Sequence, residues 1–492
     1  MLRKITAIAA CFAAALLPGA AAHGAGEVDA LIAAMLGDTP VIRDLRELTD
    51  TIGGRATGTA ANEAAVAWAL ETFQRAGVTA RAEPFALPLR WHEREASAVV
   101  SGDVEFATNV VAKPFSTGTP AGGLRAPLVD AGMGTEADFE RLGDRAAGGW
   151  ALVATTVLDD VAGLAGLFES YGNAAAVESR ALDAGVAGLV FMSNRPRNLL
   201  YRLSASRGAD NSLPILVMER EQAGRILRLL RKGRRLELDA TIEVEREEGY
   251  EAQNVIGEIR GDGRADEIVV FGAHLDSFDL GTGALDNGAN VAMLIDVARQ
   301  IRRLGLVPAR TIRFALWNGE EQGLVGSWRY TEQHADELDD HVVAASFDIG
   351  TGAITGFFTN GREALVPIVD RFLQPVAGLG PFTQVNVPVV GTDNFDFLIQ
   401  GVPNLIAIQA DANYASNYHA ESDTFDKVDQ QQLKLNSAIA AALIWGFANG
   451  SERLPRHTPA DIAALIESTD LEEQMKNFGV WDGWASGQRG RH

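Results

Sequence analysis

The sequence predicts an α/β protein: a mostly parallel mixed sheet with helices on both faces, interrupted by an inserted α+β region. Three observations carry this expectation. From Asn254 onward, short apolar runs alternate with amphipathic helical patterns, the rhythm of strand–helix units that cover a sheet on both sides. Between residues 96 and 252 the rhythm changes to short strand-like runs with helices between them, and this stretch contains no histidine. A chain of 492 residues suits about two to four domains, or one large domain carrying an insertion, and no solenoid or propeller repeat recurs along it.

The elements follow in chain order. Arg3 and Lys4 precede an apolar run over residues 5–17, Pro18-Gly19 breaks it, and Ala20-Ala21-Ala22 offers a small-residue cleavage site. That is the order of a secretory signal, so residues 1–22 are expected to be removed and the protein exported, to the periplasm or beyond. Ile8-Ala9-Ala10-Cys11 resembles a lipobox, but apolar residues continue beyond it, which favours plain cleavage. No other stretch reaches 18 uninterrupted apolar residues, so no membrane span is expected. Residues 60–76 form an amphipathic helical pattern with Ala64, Trp68, Leu70 and Phe73 on its apolar side and Gly77 as its stop. Gly53-Gly54-Arg55-Ala56-Thr57-Gly58 before it is a loop.

In the histidine-free stretch, strands are expected at 150–155, 187–191 and 213–218, and helices at 173–184 and 220–231. A buried strand at 267–271 then leads through a Gly-rich loop to a helix at 290–303. Further strands are expected at 311–317, 342–347, 385–390 and 405–409, with a helix after the first and a long helix at 428–447. The polar end carries one more helical pattern over 459–475. The resulting organisation is one discontinuous domain over 27–95 and 253–450, an insertion over 96–252, and an extension over 451–492.

Composition narrows the function. With 65 acidic and 43 basic residues the net charge is −22, which argues against a general nucleic-acid or anionic-membrane binder. A single cysteine excludes a thiolate metal site and a disulfide framework. In a parallel sheet, ligands bind beyond the carboxyl ends of the strands. There the sequence places His274-Leu275-Asp276, then Asp286-Asn287-Gly288, Glu320-Glu321, Asp348 and His419. Each has an ordinary reading: a hydrogen-bonded His–Asp pair, a turn, a helix-start acid, a cap, a loop histidine. Together they supply two imidazoles and several carboxylates at one end of the sheet, the ligands zinc takes when thiolates are absent.

This set, in this order, resembles the co-catalytic di-zinc exopeptidases, the family of bacterial aminopeptidases, glutamate carboxypeptidase and carboxypeptidase Q. Leu316-Trp317-Asn318-Gly319-Glu320-Glu321-Gln322-Gly323 and Gly391-Thr392-Asp393, followed by Gly401-Val402-Pro403, bring it nearest to carboxypeptidase Q. Residues 184–191 and 213–217 resemble runs of the protease-associated domain inserted in several such enzymes. The resemblance implies a zinc exopeptidase-like fold and a peptide substrate, with two Zn2+ ions bridged by Asp286. His274 and Asp348 complete one ion, and Glu321 and His419 the other. It also implies Glu320 as general base, Asp276 orienting His274, a cis Asp286–Asn287 peptide and a homodimer. Tyr418 stands where glutamate carboxypeptidase has a carbonyl-polarising tyrosine, although carboxypeptidase Q departs from tyrosine there. Asp393 is read as a turn or cap residue, with binding of a substrate α-ammonium as the alternative. Asp423 and Asp426 are expected to fix the loop after His419. The expected activity is hydrolysis of dipeptides or short peptides. Alternatives are an aminopeptidase of the same family, a non-catalytic receptor-like binding protein, and a glutaminyl cyclase.

Overall fold

The computed structural model describes residues 21–158, 163–203 and 208–492; most of the expected export signal, residues 1–20, lies outside them. Among the described residues, thirteen strands form one hydrogen-bonded sheet. They are β1 (Thr79–Gly102), β2 (Phe106–Thr108), β3 (Val110–Ala112), β4 (Leu124–Asp130), β5 (Trp150–Val153), β6 (Gly188–Met192) and β7 (Ile215–Met218). After these come β8 (Leu236–Ile259), β9 (Arg264–His274), β10 (Arg310–Trp317), β11 (His341–Ser346), β12 (Ile354–Phe358) and β13 (Asn404–Gln409). The spatial order is β12-β13-β11-β9-β10-β8-β4-β5-β6-β7-β3, with β1 on β8 and β2 on β1.

The strands β13, β11, β9 and β10 run parallel, so their carboxyl ends share one edge. The alternation of β9 explains the layers. Val269 and Phe271 face a cluster with the buried helices Ala289–Arg303 and Gln430–Asn449. Ile268 and Val270 face the other side, against Tyr330 and Phe397 of the helices Val325–Gln333 and Asn394–Ile399. Successive strand side chains point to opposite faces, so a strand with helices on both sides is apolar throughout.

The 24-residue strands β1 and β8 pair antiparallel from Thr79–Glu258 to Gly102–Leu236 and join the two halves of the sheet. The expected boundaries at 95/96 and 252/253 fall within these strands. The middle of β8, residues 245–251, carries no apolar alternation, and there charge holds the ribbon: Arg90 meets Glu245 and Glu247, and Arg94 meets Glu245, while β1 alternates buried Phe85, Leu87, Leu89 and Trp91.

Two expectations are corrected. Residues 385–390 are not a strand: Val385 makes one isolated bridge to Phe358, and Pro388 lacks the N–H a ladder needs. The edge is instead β12, antiparallel to β13. The helical pattern over 459–475 is two helices, Pro459–Ser468 and Leu471–Asn477; the first starts at a Thr458–Asp461 capping box with proline in its first turn.

His341 opens β11 in a closed polar niche. Its Nδ1–H donates to the Glu337 carbonyl at 2.9 Å, and its Nε2 accepts from the Tyr330 hydroxyl at 3.1 Å. Burial lowers its pKa to about 4. The unfolded chain takes this proton near the ordinary value of 6.5. The contribution to stability is therefore whole above that value and is lost as pH falls towards about 4, by up to about 3 kcal/mol. His341→Gln should be less stable at neutral pH but lose less on acidification, measured as urea midpoints of both proteins near pH 7 and pH 5. Equal acid losses would refute the neutral buried imidazole.

Candidate metal centre

His274 is the last residue of β9, Glu320 and Glu321 follow β10, Asp348 follows β11, and His419 lies on the chain leaving β13. Because these strands are parallel, all five arrive at one edge. Asp286 joins them from the loop before the helix Ala289–Arg303, and the Asp286–Asn287 peptide is cis. Two groups result: His274, Asp286 and Asp348, and Asp286, Glu321 and His419. Within each group the ligand atoms all lie within 4.8 Å of one another. His274 Nε2 is 3.0 Å from Asp286 Oδ1 and 2.9 Å from Asp348 Oδ1. His419 Nε2 is 3.3 Å from Asp286 Oδ2 and 3.1 Å from Glu321 Oε2. Asp286 thus gives one oxygen to each group.

The donor set fits a divalent cation in each group. Asp286 Oδ2, Glu321 Oε1, Asp348 Oδ1 and His419 Nε2 are buried without a hydrogen-bond partner. Buried polar atoms are ordinarily paired, and ligands of a cation are the ones that need not be. Each imidazole also has its other nitrogen fixed by a main-chain oxygen, which sets the tautomer that leaves Nε2 free to ligate. His274 Nδ1 meets the Asp276 carbonyl at 2.9 Å, and His419 Nδ1 meets the Arg202 carbonyl at 3.2 Å.

Asp276 therefore touches His274 chiefly through its main chain; its carboxylate Oδ1 is 3.6 Å from the ring. The other oxygen accepts from Thr57 Oγ1 at 2.9 Å and from Gly319 N at 3.0 Å, which anchors the turn leading into Glu320.

Further residues hold the loops. Arg55 is buried and donates to the carbonyls of Leu275, Thr282 and Gly283 at 2.5, 2.8 and 3.0 Å, stitching the loop between His274 and Asp286. Asp423 accepts from the main-chain N–H groups of Ala284, Leu285 and Asp286 at 3.0, 2.7 and 3.2 Å. Its carboxylate thus fixes the Asp286 turn. Gly281 lets the loops meet: a Cβ there would lie 2.6 Å from the Ala420 oxygen. Arg202 comes from the stretch between β6 and β7. It pairs with Asp279 at 2.8 Å and Glu93 at 2.5 Å, and its N–H donates to the His419 carbonyl at 2.9 Å. Arg195 donates to the Tyr418 carbonyl at 3.1 and 2.7 Å.

The electrostatics follow from crowded acids. Burial opposes the charged form of His274, but Asp348 and Glu320 overcome it and hold the ring well above its usual pKa. Burial likewise opposes charge on His419, and Glu321 and Asp286 lift it to about 9. Burial raises the Glu320 carboxyl well above the usual range, aided by Asp348, Glu321 and Asp393 against His274. Burial would raise Asp286 too, but the two histidines pull it below the carboxylate range.

Tyr418 stacks on His419 with ring centroids 3.5 Å apart, and its hydroxyl is 2.6 Å from that of Tyr171. Asp393 is 1% exposed, and neither of its carboxylate oxygens has a hydrogen-bond partner. Arg55, Arg202 and Tyr171 were not among the candidates drawn from the sequence. The placement of Arg55 between glycines is a weak local sign of a special role; Arg202 and Tyr171 have none.

Comparison with known proteins gives the class. Carboxypeptidase Q of Bos taurus is 28% identical over 414 residues, covering 83% of this chain and 85% of its own. A probable lipoprotein aminopeptidase of Mycobacterium tuberculosis is 26% identical over 455 residues, covering 84% of each. The crystal structure of a peptidase M28 precursor from Shewanella amazonensis superposes with a TM-score of 0.79 at 27% identity, over 89% of this chain and 99% of that one. The chain is a peptide hydrolase. Its residues 254–444, which carry the whole candidate centre, match the family model described as Peptidase family M28.

Asp423→Ala leaves three buried N–H groups without an acceptor. It should cost about 2–4 kcal/mol in urea unfolding, with Asp423→Asn, which keeps one acceptor oxygen, in between. Wild-type stability for the alanine variant would show that the turn holds itself.

Proposed function

We propose that the protein is an exported, zinc-dependent exopeptidase that hydrolyses dipeptides or short peptides in the manner of carboxypeptidase Q. The observation that carries this reading is the division of Asp286 between two buried ligand groups, one oxygen to each. His274, Asp286 and Asp348 would hold one Zn2+, and Asp286, Glu321 and His419 a second. Bound zinc supplies a Lewis acid and brings the pKa of a ligated water down to about 7.

Glu320 belongs to neither ligand group and lines the cleft beside them. It is the general base, taking the proton of the attacking water and returning it to the departing amine. Glu321 is committed to His419, so the adjacent acids have separate tasks. Asp276 positions His274 and the turn that carries Glu320. The Tyr418 hydroxyl, held by Tyr171, is the donor for the scissile carbonyl oxygen. Residues 96–252 act as a protease-associated insertion, residues 1–22 as the export signal, and the chain works as a homodimer. Among the described residues, no helix is long and apolar enough to cross a membrane.

A second reading, an aminopeptidase, is favoured by Asp393: burial holds its unpartnered carboxyl well above the usual range, and an incoming α-ammonium group would favour its charged form. It is also favoured by the likeness to the mycobacterial aminopeptidase.

Glu320→Ala should lower kcat by about 10²–10⁴ with metal content unchanged; wild-type turnover would overturn the base assignment. Release from N-acetylated and C-amidated dipeptides separates the two readings. Full activity on the N-acetylated dipeptide supports the carboxypeptidase reading. Activity only on the C-amidated one supports the aminopeptidase.

A further inference from the structure

The cleft above the centre has a volume of about 580 Å3, and three distant stretches wall it. The catalytic loops contribute Glu320, Glu321 and His419, the inserted stretch contributes Tyr171, and the last helices of the chain contribute Phe478. Pockets of about 300–1,000 Å3 suit ligands of drug size, which is the size of a di- or tripeptide.

The C-terminal stretch is keyed into the active-site loops rather than laid over them. Arg489, 4% exposed, donates through Nε and Nη2 to Asp396 at 2.7 Å each. It also donates to the carbonyls of Gly323 and Leu324 at 3.2 and 3.1 Å, just beyond Glu320 and Glu321. Gln474 accepts from Val390 N at 2.9 Å and donates to the Pro388 carbonyl at 3.3 Å, which holds the chain before Gly391 on the cleft wall.

The inserted stretch and the C-terminal stretch then meet. The rings of Tyr171 and Phe478 pack edge to face, with centroids 5.4 Å apart and planes at 88°. Gly172 lies so near Asn477 that an added Cβ would be 3.1 Å from its Oδ1, a close approach that favours a residue without a side chain. Tyr171 therefore has its ring against Phe478 and its hydroxyl on Tyr418.

We propose that Tyr171 and Phe478 form a chain-length stop. They close the cleft between the inserted and C-terminal stretches, so that it admits peptides of two or three residues and rejects longer ones. This rests on the exopeptidase reading and adds to it a limit on substrate length. Edge-to-face aromatic packing is the preferred geometry of such a pair, so a longer peptide would have to separate two rings and the loops behind them.

The test uses the full chain and an alanine series from dipeptide to hexapeptide. In the wild type, kcat/KM should fall about tenfold or more from dipeptide to hexapeptide, the scale of discrimination a pocket wall supplies. Phe478→Ala should raise the hexapeptide-to-dipeptide ratio about tenfold, and Phe478→Tyr, which keeps the ring, should restore the wild-type ratio. An unchanged ratio in a Phe478→Ala protein with intact melting behaviour and metal content would overturn the stop. So would a wild type that takes hexapeptides as readily as dipeptides. Calorimetric binding of the same peptides to Glu320→Ala reads the stop without turnover. Length-independent binding there refutes the stop, whereas a length-selective wild type that binds dipeptides yet hydrolyses no peptide refutes the exopeptidase reading.

Discussion

Acid groups crowd around two imidazoles at the carboxyl edge of the sheet, and the fold has to balance their charge. Asp276, Asp286, Asp348 and Asp393 are nearly inaccessible to water, and Glu320 and Glu321 stand beside them. A buried carboxylate without a partner is costly, so such a cluster either takes up protons or is completed by cations. The chain supplies part of that charge: Arg55 lies under the loops, and burial lowers its pKa to about 10 against the pull of Asp423, Asp276, Asp286 and Glu321. The unpartnered ligand atoms mark where the rest must come from.

Holding this cluster explains the arrangement around it. Parallel strands deliver four of the ligand positions to one edge, but loops carry the side chains, and loops need fixing. Arg55 and Asp423 do this with main-chain groups of the loop that runs from Leu275 to Asp286. The stretch between β6 and β7 does it for His419, through an isolated antiparallel bridge between Tyr201 and Ala420 and the two bonds between Arg202 and His419, one donated by Arg202 N–H and one accepted by its carbonyl. Burial opposes charge on Arg202, but Asp279 and Glu93 outweigh it, so this guanidinium is a firm anchor. The inserted stretch is thus part of how the second ligand group is built.

Much of the centre was legible because several of its residues follow an apolar strand that can be recognised without its partners: 267–271 before His274, 311–317 before Glu320 and Glu321, 342–347 before Asp348. The residues that hold the ligands were not legible. Arg202 meets His419 across 217 positions, and Tyr171 meets Tyr418 across 247, with no local pattern to mark either pair. Asp423 was expected to fix the loop after His419, yet its carboxylate serves the turn 137 to 139 residues earlier. The β1–β8 ribbon was hidden because the middle of β8, residues 245–251, is charged and unburied, so the apolar alternation of β1 from Phe85 to Trp91 has no matching pattern in its partner. The 385–390 run looked like a strand from its valines, and Pro388 with a single bridge makes it an extended edge instead.

The claim that Asp286 joins two cation sites is tested most directly by zinc content per chain, measured on wild type and Asp286→Asn after dialysis from zinc-replete buffer. The account predicts about two zinc ions in the wild type and loss of binding in both groups for the variant. A wild type holding one or none, or a variant that keeps two, would contradict it.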